Sequence, residues 1–175
     1  MSNKAEIRRS SPSDNEAIIA IYPAAFPDED LLPLLHELLN DHQHVISFVA
    51  IHEATLVGHI ATTTCTIEGR DEQAALLGPL AVAPNSQNQG IGSALINECL
   101  RHLRNNAIAQ ALVLGDPAYY TRFGFNPETK VTPPYDLPPE WDTAWQSVNL
   151  HNTKPVLEGK LKVPKPWQQP ALWLP

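Results

Sequence analysis

The 175-residue sequence contains little cysteine and little positive charge. Its two cysteines, Cys65 and Cys99, stand alone rather than in a spaced motif, which argues against a disulfide framework and favours buried, reduced thiols. Lys and Arg number 12 against 19 Asp and Glu, so the formal net charge is −7. Because no basic stripe is present to attract a polyanion, we expect no nucleic-acid partner.

The sequence also lacks long hydrophobic runs. No apolar stretch approaches the roughly 18 residues that a membrane-spanning helix needs, and the opening sequence MSNKAEIRRSSPSDNE has no apolar core of the signal-peptide type. We therefore expect a cytoplasmic protein that contacts no membrane. A chain of this length fits one domain over residues 1–175 and can bury about 70% of its unfolded surface without a disulfide or a metal.

Residues 77–100, LGPLAVAPNSQNQGIGSALINECL, form the most informative stretch of the chain. The apolar run at 77–82 predicts a strand that is ended by turn formers, and the helical spacing of apolar residues from Ile91 onward predicts an amphipathic helix. Gly90 and Gly92 stand in the first turn, which has no acidic side chain. Glycines there let a ligand approach the backbone, and the N–H groups of a helix start attract anions. The pattern therefore predicts a phosphate site.

Three phosphate-binding loops compete for this position. A Rossmann fingerprint needs a third glycine where this chain has Leu95, and a P-loop needs a Gly-Lys-Ser/Thr sequence that occurs nowhere in the chain. The remaining candidate, Gln-Asn-Gln-Gly-Ile-Gly at 87–92, resembles the Gln/Arg-x-x-Gly-x-Gly/Ala pyrophosphate loop of the GNAT superfamily of acetyl-CoA-dependent N-acetyltransferases. Taken by itself, the hexapeptide also fits a helix start whose glycines merely permit tight packing.

Hydrophobic periodicity predicts strands and helices along the rest of the chain. Two helices follow the first strand, three strands then form an antiparallel meander, and a strand-helix-strand unit makes one parallel pair. A short helix at 117–123, capped by Asp116, leads into the Pro- and Trp-rich last third. There we expect a hairpin of the last two strands and an irregular tail at 164–175. The predicted strands are 5–9, 45–51, 56–67, 73–82, 111–114, 144–150 and 156–163.

A second motif extends the resemblance to the GNAT superfamily. The segment 119–125, Tyr-Tyr-Thr-Arg-Phe-Gly-Phe, is similar to the GNAT segment in which a tyrosine on the last short helix precedes Gly-Phe by four residues, and Tyr120 is the match. The predicted order β, α, α, β, β, β, α, β, α, β, β is also the GNAT order. The resemblance covers about residues 5–165, is strongest over 77–125, and points to a bacterial subgroup of predicted acetyltransferases.

The resemblance implies an α/β (α+β) fold of the GNAT type. We expect a single domain with a mixed, mostly antiparallel, twisted sheet of about seven strands and about four flanking helices. A parallel strand pair would splay apart to open the cofactor slot. One departure is that many GNAT members carry an asparagine near the start of the last helix that contacts the cofactor, whereas this helix begins Asp116-Pro117.

The resemblance also implies a reaction, the transfer of an acetyl group from acetyl-CoA to a primary amine by direct attack in a ternary complex, without a metal. The backbone of 78–82 would pair with the pantetheine arm, and an N–H at 80–82 would polarise the thioester carbonyl. Tyr120 would protonate the leaving thiolate, with Tyr119 as the runner-up. The implied cofactor-binding residues are Leu80, Ala81, Val82, Gln87, Asn88, Gln89, Gly90, Ile91, Gly92 and Ser93.

Several assignments stay open at the level of the sequence. Glu68, His59 and Asp116 are candidates for the general base. The acceptor is an amine-bearing small molecule or protein, and the acidic balance favours a cationic one. The acidic run 28–30 would attract such an acceptor, but acidic residues before a helix more often cap it.

Other assignments have a competing interpretation. The aromatic residues of 119–125 also fit a cluster that packs a short helix onto the sheet. The histidines of 42–44 lack a third ligand at matching spacing and fit a surface turn better than a metal site. A homodimer is compatible with the sequence. The alternative function is an acyl-CoA-binding or sensing module without turnover.

Overall fold

The computed structural model of the protein describes residues 4–151 and 157–175. Nine strands and four α-helices follow one another along these residues in the order β1 α1 α2 β2 β3 β4 α3 β5 α4 β6 β7 β8 β9. The strands are β1 (Glu6–Arg9), β2 (Val45–His52), β3 (Thr55–Ile67), β4 (Gln73–Val82), β5 (Gln110–Leu114), β6 (Asn126–Pro127), β7 (Val131–Thr132), β8 (Trp145–Asn149) and β9 (Gly159–Lys162). The helices are α1 (Asn15–Ala25), α2 (Leu32–Asn40), α3 (Ile91–Asn105) and α4 (Pro117–Tyr120). The internal contacts divide the chain into two compact units.

The first unit comprises residues up to 62 together with 78–99. Strand β1 pairs antiparallel with β2, from Glu6↔Ile51 to Arg9↔Phe48, and β2 is followed in the sheet by β3 and β4. The core of this unit contains side chains from α1, α2, β2 and β4 that are withdrawn from solvent. They are Ile18, Ile21, Tyr22, Leu35, Val49 and Ala81.

The entry to α1 is fixed by a capping interaction. Ser11 precedes a 3₁₀ turn at Pro12–Asp14, and its backbone N–H donates to a carboxylate oxygen of Asp14 at 2.8 Å. The same carboxylate accepts two hydrogen bonds from the guanidinium of Arg8, at 2.8 and 2.9 Å. The bidentate pair therefore ties the end of β1 to the start of α1.

The second unit comprises residues 63–77 and 100–175. Strand β4 runs parallel to β5 from Ala74↔Gln110 to Leu76↔Leu112, as the strand-helix-strand unit predicts. Strand β8 lies antiparallel to β5 on its other side, and β6 pairs with β8. The core is built from apolar side chains of the strands and the C-terminal segment, including Cys65, Leu76, Leu112, Val131, Trp145, Leu161 and Trp173.

The predicted hairpin of the last two strands is wrong. Among the described residues, β8 pairs with β5 and β6, whereas β9 pairs antiparallel with β3 and parallel with β7. The apolar pattern of each segment predicts an extended strand, but it does not indicate which neighbouring strand the segment pairs with. Residue 156, the predicted start of the last strand, lies outside the described residues.

Over the part of the chain that the structure describes, the sheet has nine strands rather than about seven, because the sequence does not predict β6 and β7. Each is two residues long, which is too short to produce a period of two in the sequence. The other strands and the helices overlap the predicted segments, but the helix predicted at 117–123 is an α-helix only at Pro117–Tyr120 and continues as a 3₁₀ turn at Thr121–Phe123. Within the described ranges, no helix is long and apolar enough to cross a membrane.

Candidate active site

The loop between β4 and α3 contains two residues with left-handed backbone conformation. After the 3₁₀ turn Pro84–Ser86, Asn88 and Gly90 take φ angles of +62° and +83°. Left-handed residues occur in turns whose backbone N–H groups bind anions. A Cβ at Gly90 would meet nothing within 4 Å. Gly90 is therefore required for its backbone conformation and not for tight packing.

The glutamine side chains of the motif stabilise the loop from within. The amide nitrogen of Gln87 donates to the carbonyl oxygen of Val82 at 3.0 Å, and that of Gln89 donates to the carbonyl oxygen of Asn85 at 3.4 Å. The first contact ties the loop to the end of β4, and the second ties it to the preceding 3₁₀ turn. The side chains thus hold the loop in shape, which leaves its backbone N–H groups as the candidate ligands for phosphate.

Helix α3 presents a positive end to the loop. It is fifteen residues long, with no acidic residue in its first turn and with His102 and Arg104 in its last turn. The first N–H groups of an α-helix have no partner within the helix, and the helix dipole adds positive potential there. An anion at residues 87–93 would meet this potential without a charged side chain from the loop.

Gly58 on β3 sets how closely α3 approaches the sheet. A Cβ at this position would lie 3.0 Å from side-chain atoms of both Ile91 and Leu95. The first turns of α3 therefore rest directly on the backbone of β3. Gly58 was not singled out from the sequence, because nothing in the motif points to a residue so far upstream.

A cleft of about 410 Å³ borders the start of α3 and contains two basic side chains. Lys4 and His52 line it together with Gln89, Gly90 and Ser93. Neither residue is part of a sequence motif, because Lys4 precedes β1 and His52 ends β2, both far upstream of the loop. Their presence places basic groups beside a loop that is itself uncharged.

Tyr120 lies at the end of α4 within an aromatic cluster. Its ring centroid is 5.1 Å from that of Tyr119 and 5.6 Å from that of Phe125. Asp116 caps the helix by accepting a hydrogen bond from the N–H of Ala118 at 2.9 Å. The predicted aromatic packing and the predicted cap are both present, so these side chains hold Tyr120 in place.

The environment of Tyr120 keeps its hydroxyl protonated. Burial, and to a lesser degree the neighbouring Tyr119, raise the pKa of Tyr120 to about 12. At neutral pH the phenol is therefore a proton donor and not a phenolate. This protonation state is the one that a general acid requires.

The three candidate bases occupy very different surroundings. His59 on β3 is fully buried, and burial lowers its pKa to about 3. The carboxylate of Asp116 is engaged in the helix cap. Glu68 is exposed after β3, where its backbone N–H donates to the carbonyl oxygen of Lys160 at 2.9 Å. The structure therefore gives His59 and Asp116 local structural partners and singles out none of the three as the base.

His59 instead belongs to a buried polar group that the sequence did not reveal. Its Nδ1 lies 2.7 Å from the hydroxyl oxygen of Tyr22, and the hydroxyl of Tyr22 donates to the carbonyl oxygen of Pro79 at 3.3 Å. Burial raises the pKa of Tyr22 well above its usual value. The two side chains are therefore neutral at neutral pH.

The acidic run Asp28–Asp30 lies in the exposed loop between α1 and α2. A carboxylate oxygen of Asp30 accepts a hydrogen bond from the N–H of Leu32 at 3.3 Å, as the capping interpretation predicts. The run also borders a cleft of about 360 Å³ whose wall includes Tyr22 and Phe26. The acidic residues thus contribute to the start of α2 and to the rim of this cleft.

His42 and His44 lie in a turn, and the two cysteines are buried free thiols, as predicted. His44 contacts the carboxylate of Asp41 at 3.0 Å in a turn, and His42 is exposed. Within residues 4–151 and 157–175, no three His, Cys, Asp or Glu side chains are grouped so that they would hold a metal ion. Cys65 and Cys99 are buried free thiols, and burial raises the pKa of each to about 12.

The chain belongs to the GNAT acetyltransferase family, because the model of the acetyltransferase (GNAT) family matches residues 15–125. It is 32% identical over 167 residues to the uncharacterized N-acetyltransferase YjhQ of Escherichia coli strain K12, an alignment that covers 91% of this chain and 92% of YjhQ. The family resemblance and the prediction of an N-acyltransferase are thereby confirmed at the level of the family.

Solved structures confirm the fold. The GNAT family N-acetyltransferase YhbS from Escherichia coli, determined in complex with CoA, superposes with a TM-score of 0.85 at 26% identity over 97% of this chain and 94% of its own. A GNAT family acetyltransferase from Brucella melitensis, in complex with acetyl-CoA, gives a TM-score of 0.77 at 26% identity over 95% and 100% of the two chains. The predicted mixed sheet with its parallel β4–β5 pair is the sheet of this fold, and the short β7–β9 pair adds a second parallel pairing that was not predicted.

Proposed function

We propose that the protein transfers the acetyl group of acetyl-CoA to a primary amine by direct attack of the amine on the thioester in a ternary complex. The observation that carries the proposal is the loop at 87–93, which combines two left-handed residues with the start of α3 and has no charged side chain, an arrangement that suits an anion. Two structural relatives, one in complex with CoA and the other with acetyl-CoA, support the identity of the donor.

The proposed cofactor contacts are mainly to the backbone. The N–H groups of Gln87, Asn88, Gln89, Gly90, Ile91, Gly92 and Ser93 would hold the pyrophosphate. The backbone of Leu80, Ala81 and Val82 would pair with the amide groups of the pantetheine arm, and one of their N–H groups would donate to the thioester carbonyl oxygen. Contacts of this kind suit an acidic protein, because they supply positive potential locally.

Tyr120 is the proposed general acid. As the amine nitrogen bonds to the carbonyl carbon, the carbon–sulfur bond breaks and the hydroxyl of Tyr120 delivers its proton to the departing thiolate. A phenol of pKa about 12 gives its proton to a thiolate of conjugate pKa about 8.5 with an uphill step of about 5 kcal/mol. Loss of water around the thiolate raises the pKa of its conjugate thiol and narrows that gap.

The acceptor is an amine-bearing small molecule or protein, and the net charge of −7 favours one that carries positive charge. The amine must lose a proton to attack, and we assign no side chain to that step. A single domain over 1–175, a cytoplasmic location and a homodimer stay predictions.

Two measurements test the proposed function. Acetyl-CoA should raise the melting temperature, since a ligand that binds the folded state stabilises it. Thiol release from acetyl-CoA should then rise when a primary amine from a panel is added. A thermal shift without thiol release for any amine would favour a CoA-sensing module, and no thermal shift at millimolar acetyl-CoA would contradict both functions.

A further inference from the structure

A buried hydrogen-bonded chain joins α1, β3 and β4 within the first unit. Tyr22 and His59 are 1% and 0% exposed. The hydroxyl oxygen of Tyr22 lies 2.7 Å from Nδ1 of His59 and 3.3 Å from the carbonyl oxygen of Pro79. These residues lie 37 and 57 positions from Tyr22 in the sequence, so the fold brings two neutral side chains to one carbonyl of β4.

The available protons determine which group donates in each of these hydrogen bonds. Tyr22 has one hydroxyl proton, and its bond to Pro79 uses that proton. Nδ1 of His59 must then carry the ring proton and donate it to the tyrosine oxygen. The other tautomer would place an N–H at Nε2, which is buried without a partner among the described residues, and an unpaired buried donor is destabilising.

The carbonyl of Pro79, which ends this hydrogen-bonded series, shares a peptide group with the N–H of Leu80. The Pro79–Leu80 bond is trans, so this N–H points away from the carbonyl that Tyr22 contacts. A hydrogen bond to an amide oxygen draws electron density toward that oxygen and makes the N–H of the same amide a stronger donor. In the proposed function, the N–H groups of 80–82 are the candidate donors to the thioester.

We propose that Tyr22, held by His59, is a positioning residue for acetyl transfer that fixes and polarises the Pro79–Leu80 peptide, so that the N–H of Leu80 donates to the thioester carbonyl oxygen. The inference rests on the proposed function. When the amine attacks, the π electron pair of the carbonyl moves to its oxygen, and the new charge strengthens each hydrogen bond of the chain. The protons stay on their donors throughout.

The length of the Tyr22–Pro79 bond agrees with this role. At 3.3 Å it exceeds the usual range of an O–H···O hydrogen bond, whereas the 2.7 Å contact to His59 lies within it. The longer bond has room to shorten as charge develops. An interaction that strengthens in the transition state accelerates the reaction, whereas one that is equally strong throughout does not.

The test uses acetyl-CoA labelled with carbon-13 at the thioester carbonyl, because the resonance of that carbon reports hydrogen bonding to its oxygen and needs no acceptor. Tyr22→Phe removes the hydroxyl and keeps the ring. We expect this variant to bind acetyl-CoA within about twofold of wild type while part of the downfield displacement of the bound carbonyl resonance is lost, because the N–H of Leu80 remains but is a weaker donor. Thiol release with an amine from the panel should fall about tenfold.

Two further variants separate positioning from structure. The side-chain N–H of asparagine in His59→Asn can replace the Nδ1–H, so the resonance should stay displaced and the rate should stay within about threefold of wild type. The double variant Tyr22→Phe/His59→Leu replaces both polar partners with apolar groups, which should recover the melting temperature but not the resonance.

The proposal is overturned if Tyr22→Phe binds acetyl-CoA and matches wild type in both the position of the bound carbonyl resonance and the rate of thiol release. It is also overturned if the double variant regains both the resonance and the rate, or if neither Tyr22 variant folds, because the pair would then have a purely structural role. If His59→Asn loses as much of the rate as Tyr22→Phe, the proposal is overturned as well, because His59 would then act as a base. Failure of the proposed function is distinguishable, since wild-type protein would then either show no bound carbonyl resonance or bind acetyl-CoA and release no thiol with any amine of the panel.

Discussion

The ring of Tyr120 occupies the space that a side chain at Gly115 would fill. A Cβ at Gly115 would lie 2.5 Å from Cε2 of Tyr120, a separation that real Cβ atoms do not tolerate. The backbone of Gly115 is held on both sides, because its N–H donates to the carbonyl oxygen of Ala144 at 2.9 Å and its carbonyl oxygen accepts from Gln146 at 3.1 Å. The ring, and not the backbone, must therefore move if a side chain is added.

Gly115→Ala should reduce turnover by displacing Tyr120. We expect kcat to fall about tenfold, with little change in the affinity for CoA, because a general acid acts through its position. Steady-state kinetics and calorimetric titration with CoA measure the two effects. In a Tyr120→Phe background the same substitution should change kcat less than about twofold. A full additional tenfold loss there would mean that Gly115 acts by another route.

Gly90→Ala should weaken CoA binding through the backbone of the loop. A left-handed conformation costs a residue with a Cβ about 1–2 kcal/mol, so the alanine variant should shift the loop out of the shape that binds phosphate. Gly69→Ala is a matched control, since Gly69 also has a positive φ, +77°, and open space around its Cβ. Calorimetry should show weaker CoA binding for Gly90→Ala alone. Equal affinities in the two variants would contradict the assignment of the loop.

Trp173→Ala should destabilise the protein strongly. Trp173 is 1% exposed, its ring centroid lies 5.9 Å from that of Trp145, and its Nε1 donates to the carbonyl oxygen of Trp167 at 3.1 Å. We expect a loss of about 3–5 kcal/mol in the free energy of unfolding, measured with urea. Leu174→Ala, at a position that is 52% exposed, should cost less than about 0.5 kcal/mol. Similar losses for both would contradict the packing of the C-terminal segment.

His59 should make the protein sensitive to mild acid. Its pKa is about 3 in the folded chain against 6.5 as the reference, so its contribution to stability is complete above pH 6.5 and is lost as the pH falls toward 3. The loss is about 1.4 kcal/mol per pH unit, or about 2 kcal/mol between pH 7 and pH 5. Urea unfolding of wild type and His59→Asn at both pH values isolates this contribution, because other groups titrate alike in the two proteins. An equal loss in both would contradict a neutral, buried His59.

The sequence predicted the parts of the site that depend on local pattern. Gly90 and the helix after it occur within one short stretch, so their combination is visible without a fold, and Tyr120 has a fixed spacing to Gly124 and Phe125. The left-handed conformation that Gly90 adopts is a further reason for glycine at this position, and the sequence does not indicate it. Capping by Asp116 was likewise predicted, because a cap needs only neighbours along the chain.

Contacts between distant residues were not predictable in the same way. Tyr22 and His59 are 37 positions apart and each fits an ordinary core pattern, so nothing in the sequence indicates that they share a hydrogen bond. Similarly, β8 and β9 have a strand-like composition, but their partners depend on which sheet edges other segments leave accessible. Gly115 is close to Tyr120 in the sequence, yet their contact depends on how α4 turns.

The central claim is acetyl transfer with Tyr120 as the acid. It is tested most directly by measuring thiol release from acetyl-CoA with a primary amine for wild type, Tyr120→Phe and Tyr119→Phe. Calorimetry measures CoA binding by the same three proteins. We expect Tyr120→Phe to lose at least about a hundredfold in kcat while it binds CoA like wild type, and Tyr119→Phe to keep most of its activity. A wild-type rate for Tyr120→Phe would contradict the account.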